Sequence, residues 1–211
     1  MNDRESFRFY EFFKRLTDIL LAILGLLILF PLFIVIAVII KLSSKGPILY
    51  RGIRTGLNSV PFEVYKFRTM INNPEKNNDL VTAKNDVRIT RFGSILRKYK
   101  LDELPQLANV LKGEMSLVGP RPEVQLYTSL YTKEEEVILS VLPGITDFSS
   151  IYFVQLADVV GHNDNKKEFQ NNIQDVLKIK NKLRIKYVNE RSFKIDMKIL
   201  LKTLVRLIKT S

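Results

Sequence analysis

The chain lacks several residues and motifs on which common enzyme mechanisms depend. Its 211 residues include no cysteine, no tryptophan and a single histidine. Without cysteine there can be no disulfide, thiolate nucleophile or cysteine-ligated zinc, and this composition suits a reducing compartment. His162 lies among Gly161 and the polar residues 163–165, which indicates a surface histidine rather than part of a hydrolase triad. The absence of a glycine-rich dinucleotide fingerprint and of a Walker A loop disfavours nicotinamide enzymes and phosphate-loop nucleotidases.

Positive charge is concentrated towards the C-terminus. The formal net charge is +11, and residues 178–211 contain eleven lysines and arginines against two acids. Such a surplus attracts anionic lipid, nucleic acid or phosphorylated metabolites, but it says little about the fold. The length suits one compact domain plus an anchor, so a single active site is expected.

An apolar run near the N-terminus predicts a membrane anchor. Residues 19–40 carry no charge, and 22 residues can cross a hydrocarbon core of ~30 Å at ~1.5 Å per residue. A cleaved signal peptide is disfavoured because its apolar stretch would be about 7 to 15 residues long. Pro31 interrupts the helical hydrogen bonding, and basic residues on both flanks favour the cytoplasm for both ends. A re-entrant helix broken at Pro31 and a kinked single span both fit this pattern.

The rest of the chain predicts an α+β fold that is mainly helical, with amphipathic interfacial helices around one active site. Apolar and aromatic runs separated by turn residues indicate a small β-hairpin within residues 47–70. Helices are predicted at residues 89–99, 134–142, 171–191 and 193–208. The last helix is basic and amphipathic, a pattern that suits either a membrane surface or packing against the domain. We expect two parts, an interfacial segment with the membrane helix at 1–45 and a catalytic domain at 46–211.

Two adjacent acids, Asp102 and Glu103, are the best candidates for chemistry. They follow the basic helix and precede Pro105, which is tolerated in the first turn of a helix. An aspartate can attack phosphorus, and a neighbouring acid can help to hold a metal ion. The alternative is structural, with Asp102 as a helix N-cap and Glu103 at a positive helix end.

The sequence around this pair resembles a known family. The block LDELPQLANVLKGEMSLVGPRPE, with NDVRITRFGSILRKYK ahead of it and PFEVYKFRTM upstream, is similar to the bacterial sugar transferases, which are monotopic phosphoglycosyl transferases. The resemblance covers nearly the whole chain. It implies transfer of a sugar phosphate from a nucleotide diphosphate sugar, usually a UDP-sugar, to polyprenyl (undecaprenyl) phosphate, with release of UMP and a requirement for Mg²⁺. This reaction starts surface glycan synthesis, for capsule, O-antigen of lipopolysaccharide, exopolysaccharide or glycoprotein, on the cytoplasmic face of the bacterial inner membrane.

The resemblance assigns roles to both acids. Asp102 is the expected nucleophile, which forms a phosphosugar-aspartyl intermediate, and Glu103 is expected to assist in metal binding or proton transfer. Both are therefore candidate Mg²⁺ ligands. A covalent intermediate divides one exchange into two easier steps.

Cations should converge on the pair because both substrates carry phosphate. Lys66 and Arg68 lie two apart on a predicted strand and point to the same face, which is either an active-site face or a solvated one. Arg121 is held between two prolines, an arrangement that suits bidentate phosphate binding or only a rigid turn. Arg88 and Arg91 are weaker candidates that line the site.

The chain departs from the family pattern at two places. Phe30 stands where members often have serine before the helix-breaking proline, so the stabilisation of the break at Pro31 is unexplained. After LPGIT, residues 147–169 read DFSSIYFVQLADVVGHNDNKKEF where a glycine-rich stretch is common, so the sugar is not identified. The resemblance predicts a short, catalytic-core-only member.

The expected partners follow from this reaction. They are the UDP-sugar, polyprenyl phosphate and membrane lipid, and the resemblance also allows contact with downstream glycosyltransferases. No nucleic acid is expected. A membrane-tethered basic nucleic-acid-binding protein, or a scaffold without catalysis, is the alternative function. A nucleic-acid-binding role leaves the acidic pair and the GPRP turn unexplained, and a scaffold that lost activity should lack one of them.

Overall fold

The computed structural model describes residues 3–71, 86–149 and 166–209. Their helices are α1 (Asp3–Ser43), α2 (Arg91–Lys98), α3 (Gln106–Lys112), α4 (Gln125–Thr128), α5 (Lys166–Glu190) and α6 (Phe193–Lys209). Their strands are β1 (Leu49–Thr55), β2 (Pro61–Phe67), β3 (Ser116–Val118) and β4 (Gly144–Thr146). The predicted mainly helical fold with a small sheet is confirmed. His162 and most of the segment after LPGIT lie outside the described residues.

The predicted hairpin is present as an antiparallel pair. Strands β1 and β2 pair from Leu49 opposite Phe67 to Thr55 opposite Pro61. The connection contains Asn58 and Ser59 at φ of 52° and 64°, in the left-handed region that turns tolerate. The buried side chains of Val64 and Phe67 then hold the hairpin against the core.

The helix predicted at residues 89–99 is α2. Thr90 caps it, because its hydroxyl accepts the Gly93 N–H at 2.9 Å. Helices α5 and α6 match the predictions at 171–191 and 193–208. The segment 134–142 instead forms a 3₁₀ helix at Glu135–Ser140. A helix this short, stopped by Pro143, gains little from α-helical hydrogen bonding, and short 3₁₀ turns are common in connections.

A parallel pair of short strands brings two distant loops together. Ser116 on β3 pairs with Gly144 on β4, and the Gly119 N–H donates to the Thr146 carbonyl at 3.0 Å. The backbones meet so closely that a Cβ at Gly144 would lie 2.0 Å from the Gly119 nitrogen. This approach places the GPRP turn beside the PGIT segment.

Two apolar clusters form the core, and α1 contributes to both. The first includes Ala22, Val64, Val110 and Ile199, and the second is built from Ile36, Ile40, Phe67 and Leu96. Helix α3 is fixed to β2 by the buried Asn109, whose side-chain oxygen accepts the Tyr65 N–H at 3.0 Å. The hairpin, α2 and α3 are therefore one packed body.

Helix α1 is long and apolar enough to cross a membrane by length and composition. Large apolar side chains are exposed along it at Leu20, Leu21, Ile23, Leu24, Leu27, Ile28, Phe30, Leu32, Ile34, Val35 and Val38. The helix continues without interruption across Pro31, so the expected break is not seen as two separate helices. A proline removes one hydrogen bond but need not end a helix, and kinks commonly occur at such positions. A re-entrant path at Pro31 stays a prediction.

Both halves of α1 contact the same packed body. Before Pro31, the guanidinium of Arg15 donates to the Val110 carbonyl at 2.7 Å. After Pro31, Ile36 and Ile40 pack against Phe67, and the Arg68 guanidinium donates to the carbonyl of Ser44, directly after α1, at 2.7 Å. The packed body of the hairpin, α2 and α3 therefore contacts the chain at both ends of the apolar run.

Candidate active site

The acidic pair lies on a tight turn between α2 and α3. Lys100 adopts φ of 58°, and a 3₁₀ turn follows at Leu101–Glu103. The Glu103 N–H donates to the Lys100 carbonyl at 3.3 Å, and Pro105 leads into α3. Since helices packed in the core flank this turn on both sides, the carboxylates have a defined direction.

Two cations hold the Glu103 carboxylate. Lys66 Nζ lies 2.7 Å from Oε1, and Arg121 Nη1 lies 3.0 Å from Oε2. Arg121 Nη2 also donates to Oε1, so the guanidinium binds the carboxylate with both branches of its fork. Burial on its own raises the pKa of Glu103, but Arg121 and Lys66 outweigh it and leave this pKa below its usual range. Glu103 is therefore anionic at neutral pH.

Asp102 has a different environment. Asp102 is 8% exposed, and its buried Oδ1 has no hydrogen-bond partner among the described residues. Burial, followed by the negative charge of Glu103, raises the pKa of Asp102 from 3.8 to about 6. Asp102 is thus mostly ionised at neutral pH, and no described residue donates a hydrogen bond to its Oδ1.

Sequence reasoning missed two cations that act on Asp102. Arg97 and Lys100, together with Lys66, lower the pKa of Asp102 and oppose the effect of burial. The Arg97 guanidinium is oriented by a 2.9 Å hydrogen bond from Nε to the Thr69 hydroxyl. The available signal was position, because both residues belong to the basic stretch that directly precedes the acidic pair.

The loop that carries Arg121 is fixed by its backbone. The Pro120 carbonyl accepts the Gly144 N–H at 2.9 Å. The Arg121 N–H donates to the Asp147 carboxylate at 3.3 Å, and the Glu123 carbonyl accepts the Thr55 N–H at 2.9 Å. These bonds, with a proline on each side, direct the Arg121 guanidinium towards Glu103.

The other predicted arginines make different contacts. Arg68 Nη2 donates to both the carbonyl and the hydroxyl of Ser44, at 2.7 and 2.9 Å, and so ties β2 to the end of α1. Arg88 contacts the Asp86 carboxylate through Nε and Nη2. Arg91 is exposed at the first position of α2. The structure thus joins Lys66 and Arg121 to the acidic pair, whereas substrate roles for these three arginines stay predictions.

The acidic pair is compatible with a Mg²⁺ ion. Among the residues that the structure describes, no three acidic or histidine side chains gather into a metal-binding group. Mg²⁺ is usually bound by one or two carboxylates, with substrate phosphates and water as further ligands. The Asp102 carboxylate, whose Oδ1 has no hydrogen-bond partner among the described residues, fits such a ligand, whereas Glu103 already has cations on both oxygens.

Comparison with protein families matches residues 9–210 to the family described as bacterial sugar transferase. The chain belongs to this family. The resemblance seen in the sequence is therefore confirmed. Membership of this family and the long apolar helix α1 together indicate that the chain is associated with a membrane.

Several curated proteins with named activities are similar to the chain. It is 40% identical over 152 residues, 71% of its length, to the UDP-N-acetylgalactosamine-undecaprenyl-phosphate N-acetylgalactosaminephosphotransferase of Aeromonas hydrophila. It is 37% identical over 210 residues, 98% of its length, to the UDP-glucose:undecaprenyl-phosphate glucose-1-phosphate transferase of Xanthomonas campestris pv. campestris. The chain spans 36% and 40% of these two relatives.

A shorter relative comes from Bacillus subtilis (strain 168). It is named a putative undecaprenyl-phosphate N-acetylgalactosaminyl 1-phosphate transferase, and the chain is 41% identical to it over 137 residues. This match covers 65% of the chain and 73% of the relative. The named activities share a phosphotransferase reaction but differ in the sugar.

Proposed function

We propose that the chain transfers a sugar phosphate from a UDP-sugar to undecaprenyl phosphate. The observation that carries this proposal is the Asp102–Glu103 turn, where a buried aspartate whose Oδ1 has no partner among the described residues lies beside a carboxylate held by Lys66 and Arg121. The names of its relatives supply the substrate classes. These relatives are named for different sugars, so the donor panel in the test below includes UDP-glucose and UDP-N-acetylgalactosamine.

In the proposed reaction, Asp102 Oδ1 attacks the sugar-linked phosphorus of the donor. The new O–P bond forms as the bond from this phosphorus to the bridging oxygen breaks, and UMP leaves. A phosphate oxygen of undecaprenyl phosphate then attacks the same phosphorus, forms the diphosphate product and restores the Asp102 carboxylate. A desolvated carboxylate suits the first step because it loses little hydration as it attacks.

Lys66 and Arg121 would bind the donor diphosphate. Both already contact Glu103, so phosphate oxygens must share these cations with Glu103 or take its place. Asp102 would hold Mg²⁺, joined by Glu103 once donor phosphate has taken over the cations of Glu103, and the ion would neutralise phosphate charge when bound. Preorganised positive charge next to the reacting phosphorus lowers the barrier because the leaving group becomes more anionic in the transition state.

We also propose that α1 is re-entrant and that the catalytic body lies on the cytoplasmic face of the bacterial inner membrane. A straight membrane-spanning helix would separate its two ends by the thickness of the bilayer. In this chain the packed body of the hairpin, α2 and α3 contacts Arg15 before the apolar run and Ser44 after it. Contacts at both ends with a single body support the placement of both ends at one face, and Pro31 is the natural position for the bend.

The catalytic proposal is tested by covalent trapping. The detergent-solubilised chain is incubated with Mg²⁺ and a panel of UDP-sugars labelled in the sugar, without undecaprenyl phosphate. One donor should label the protein, and addition of undecaprenyl phosphate should transfer the label to lipid. Asp102→Asn should abolish labelling, whereas Glu136→Gln, which changes an exposed acid on another segment, should not. Normal turnover by Asp102→Asn would exclude the aspartyl intermediate.

The topology is tested with single cysteines in this cysteine-free chain. Glu5→Cys and Lys45→Cys should both resist a membrane-impermeant thiol reagent applied outside intact cells, and both should react after permeabilisation. External labelling of either cysteine in intact cells would establish that α1 spans the membrane. Pro31→Leu restores a helical hydrogen bond and should increase the externally labelled fraction at one end.

A further inference from the structure

The departure from the family pattern after LPGIT begins with a buried acid. Asp147 is 0% exposed, and its carboxylate accepts the Ser149 hydroxyl at 2.8 and 2.7 Å. The same carboxylate accepts the backbone N–H of Arg121 at 3.3 Å. This residue is therefore part of the support for the Arg121 loop.

A buried arginine on α5 joins Asp147 to the other end of that loop. The Arg184 side chain is 1% exposed, and its Nη2 lies 2.6 Å from Oε1 of Glu123. Its Nε lies 3.8 Å from Oδ2 of Asp147, and its Nη1 donates to the Asn181 side-chain oxygen at 3.0 Å. One guanidinium therefore spans two acids that flank Arg121 in space.

These acids would otherwise compete for Arg121. A buried carboxylate without a counter-ion is costly, and a nearby arginine is the obvious partner for it. With Arg184 between them, Glu123 and Asp147 have their own cation, so the Arg121 guanidinium can lie against Glu103.

We propose that Arg184 is a positioning residue for the donor phosphates, because it pairs with Glu123 and Asp147 and thereby keeps Arg121 directed at the acidic pair. This inference rests on the proposed function, in which Arg121 binds the donor diphosphate. Arg184 itself touches neither substrate nor the reacting atoms in this proposal.

Arg184→Gln is the direct test, measured on the detergent-solubilised full chain. Inorganic pyrophosphate serves as the probe for phosphate binding by calorimetry, and the KM values for UDP-sugar and undecaprenyl phosphate are determined separately. We expect about tenfold weaker pyrophosphate binding and a similar rise in the donor KM, as for loss of one charge-coupled contact. The acceptor KM should be unchanged. Lys186→Gln, which removes an exposed cation from the same helix, is the matched control.

The double variant Arg121→Lys/Arg184→Gln separates positioning from general stabilisation. If Arg184 acts through Arg121, the donor KM of the double variant should equal that of Arg121→Lys alone. Independent sites would instead give multiplied losses. Multiplied losses, or a lower Tm in Arg184→Gln with an unchanged donor KM, would overturn the inference.

Loss of Arg184 removes the arginine that pairs with the buried Asp147 and the partly buried Glu123, so the variant can fail to fold. Arg184→Lys then carries the same test, because it keeps a positive charge beside both acids but loses the guanidinium that spans them, and it should still raise the donor KM selectively. If the wild-type chain turns over no UDP-sugar, the proposed function fails. If it turns over a UDP-sugar while these variants keep its donor KM, only the inference about Arg184 fails.

Discussion

Replacing Glu103 by glutamine should lower the pKa of Asp102. The change keeps the size of the side chain but removes a negative charge next to Asp102. That charge is, after burial, the second cause of the raised pKa of Asp102. The substitution also leaves Lys66 and Arg121 without their shared carboxylate, so both become more available to stabilise an ionised Asp102.

The structure bounds the size of this effect. The pKa of Asp102 is raised from 3.8 to about 6, which corresponds to ~3 kcal/mol against ionisation in the folded chain, at ~1.4 kcal/mol per pKa unit. Burial is the larger cause and persists in the variant. In Glu103→Gln the pKa of Asp102 should therefore lie below about 6 but above 3.8, because burial still raises it.

The raised pKa of Asp102 also makes the free energy of unfolding depend on pH. Between pH 3.8 and about 6 the folded chain keeps a proton on Asp102 that the unfolded chain releases. This residue therefore lowers the free energy of unfolding as the pH rises through that window. Glu103→Gln should make this part of the pH dependence shallower.

The assay is the rate of covalent labelling by donor as a function of pH. Wild-type labelling should rise with pH to a plateau, with a midpoint near 6, because the attacking carboxylate must be ionised. Glu103→Gln should give a lower plateau and a midpoint at lower pH, whereas Glu136→Gln should leave the midpoint unchanged. A midpoint that stays or rises in Glu103→Gln would refute the proposed electrostatic coupling.

Three further predictions concern the loop, the packing and the membrane. Arg121→Lys keeps the charge but loses the two-branched contact with Glu103, so turnover should fall sharply in a folded protein; near-normal turnover would contradict this role. Gly144→Ala should lower the free energy of unfolding, measured by denaturant titration, by about 1 to 3 kcal/mol or more, because the new Cβ would meet the Gly119 backbone. Gly25→Ala is the control, since its Cβ would meet only a leucine side chain. Lys198→Gln with Lys202→Gln should weaken binding to anionic vesicles by about 1 kcal/mol per charge at most, with turnover in detergent nearly unchanged; loss of turnover there would connect α6 to the active site.

Local patterns predicted elements better than they predicted contacts between them. The hairpin and α2 follow from residue periodicity, which neighbouring residues determine, and both are present. The pairing of Lys66 with Glu103 joins residues 37 apart, and no local pattern encodes it. Only the family resemblance suggested that these residues share a site.

The arginines illustrate the same limit more sharply. Arg68 and Arg121 both stood in motifs that indicated phosphate binding, yet Arg68 contacts the end of α1 and Arg121 contacts the acidic pair. Arg184 carried no signal, because a basic residue in a basic helix usually faces solvent. Its burial depends on Glu123 and Asp147 from other elements, so only the assembled fold reveals it.

The environments of the two adjacent acids assign them different work. Glu103 is stabilised as an anion by Lys66 and Arg121, so its oxygens are poor nucleophiles and well suited to organising cations. Asp102 lies where burial and its neighbour disfavour ionisation, yet a pKa of about 6 still leaves it mostly ionised at neutral pH. Titratable groups whose pKa values are driven apart by their surroundings commonly divide catalytic roles in this way. The less stabilised carboxylate is the more reactive one, which favours Asp102 rather than Glu103 as the residue that attacks phosphorus.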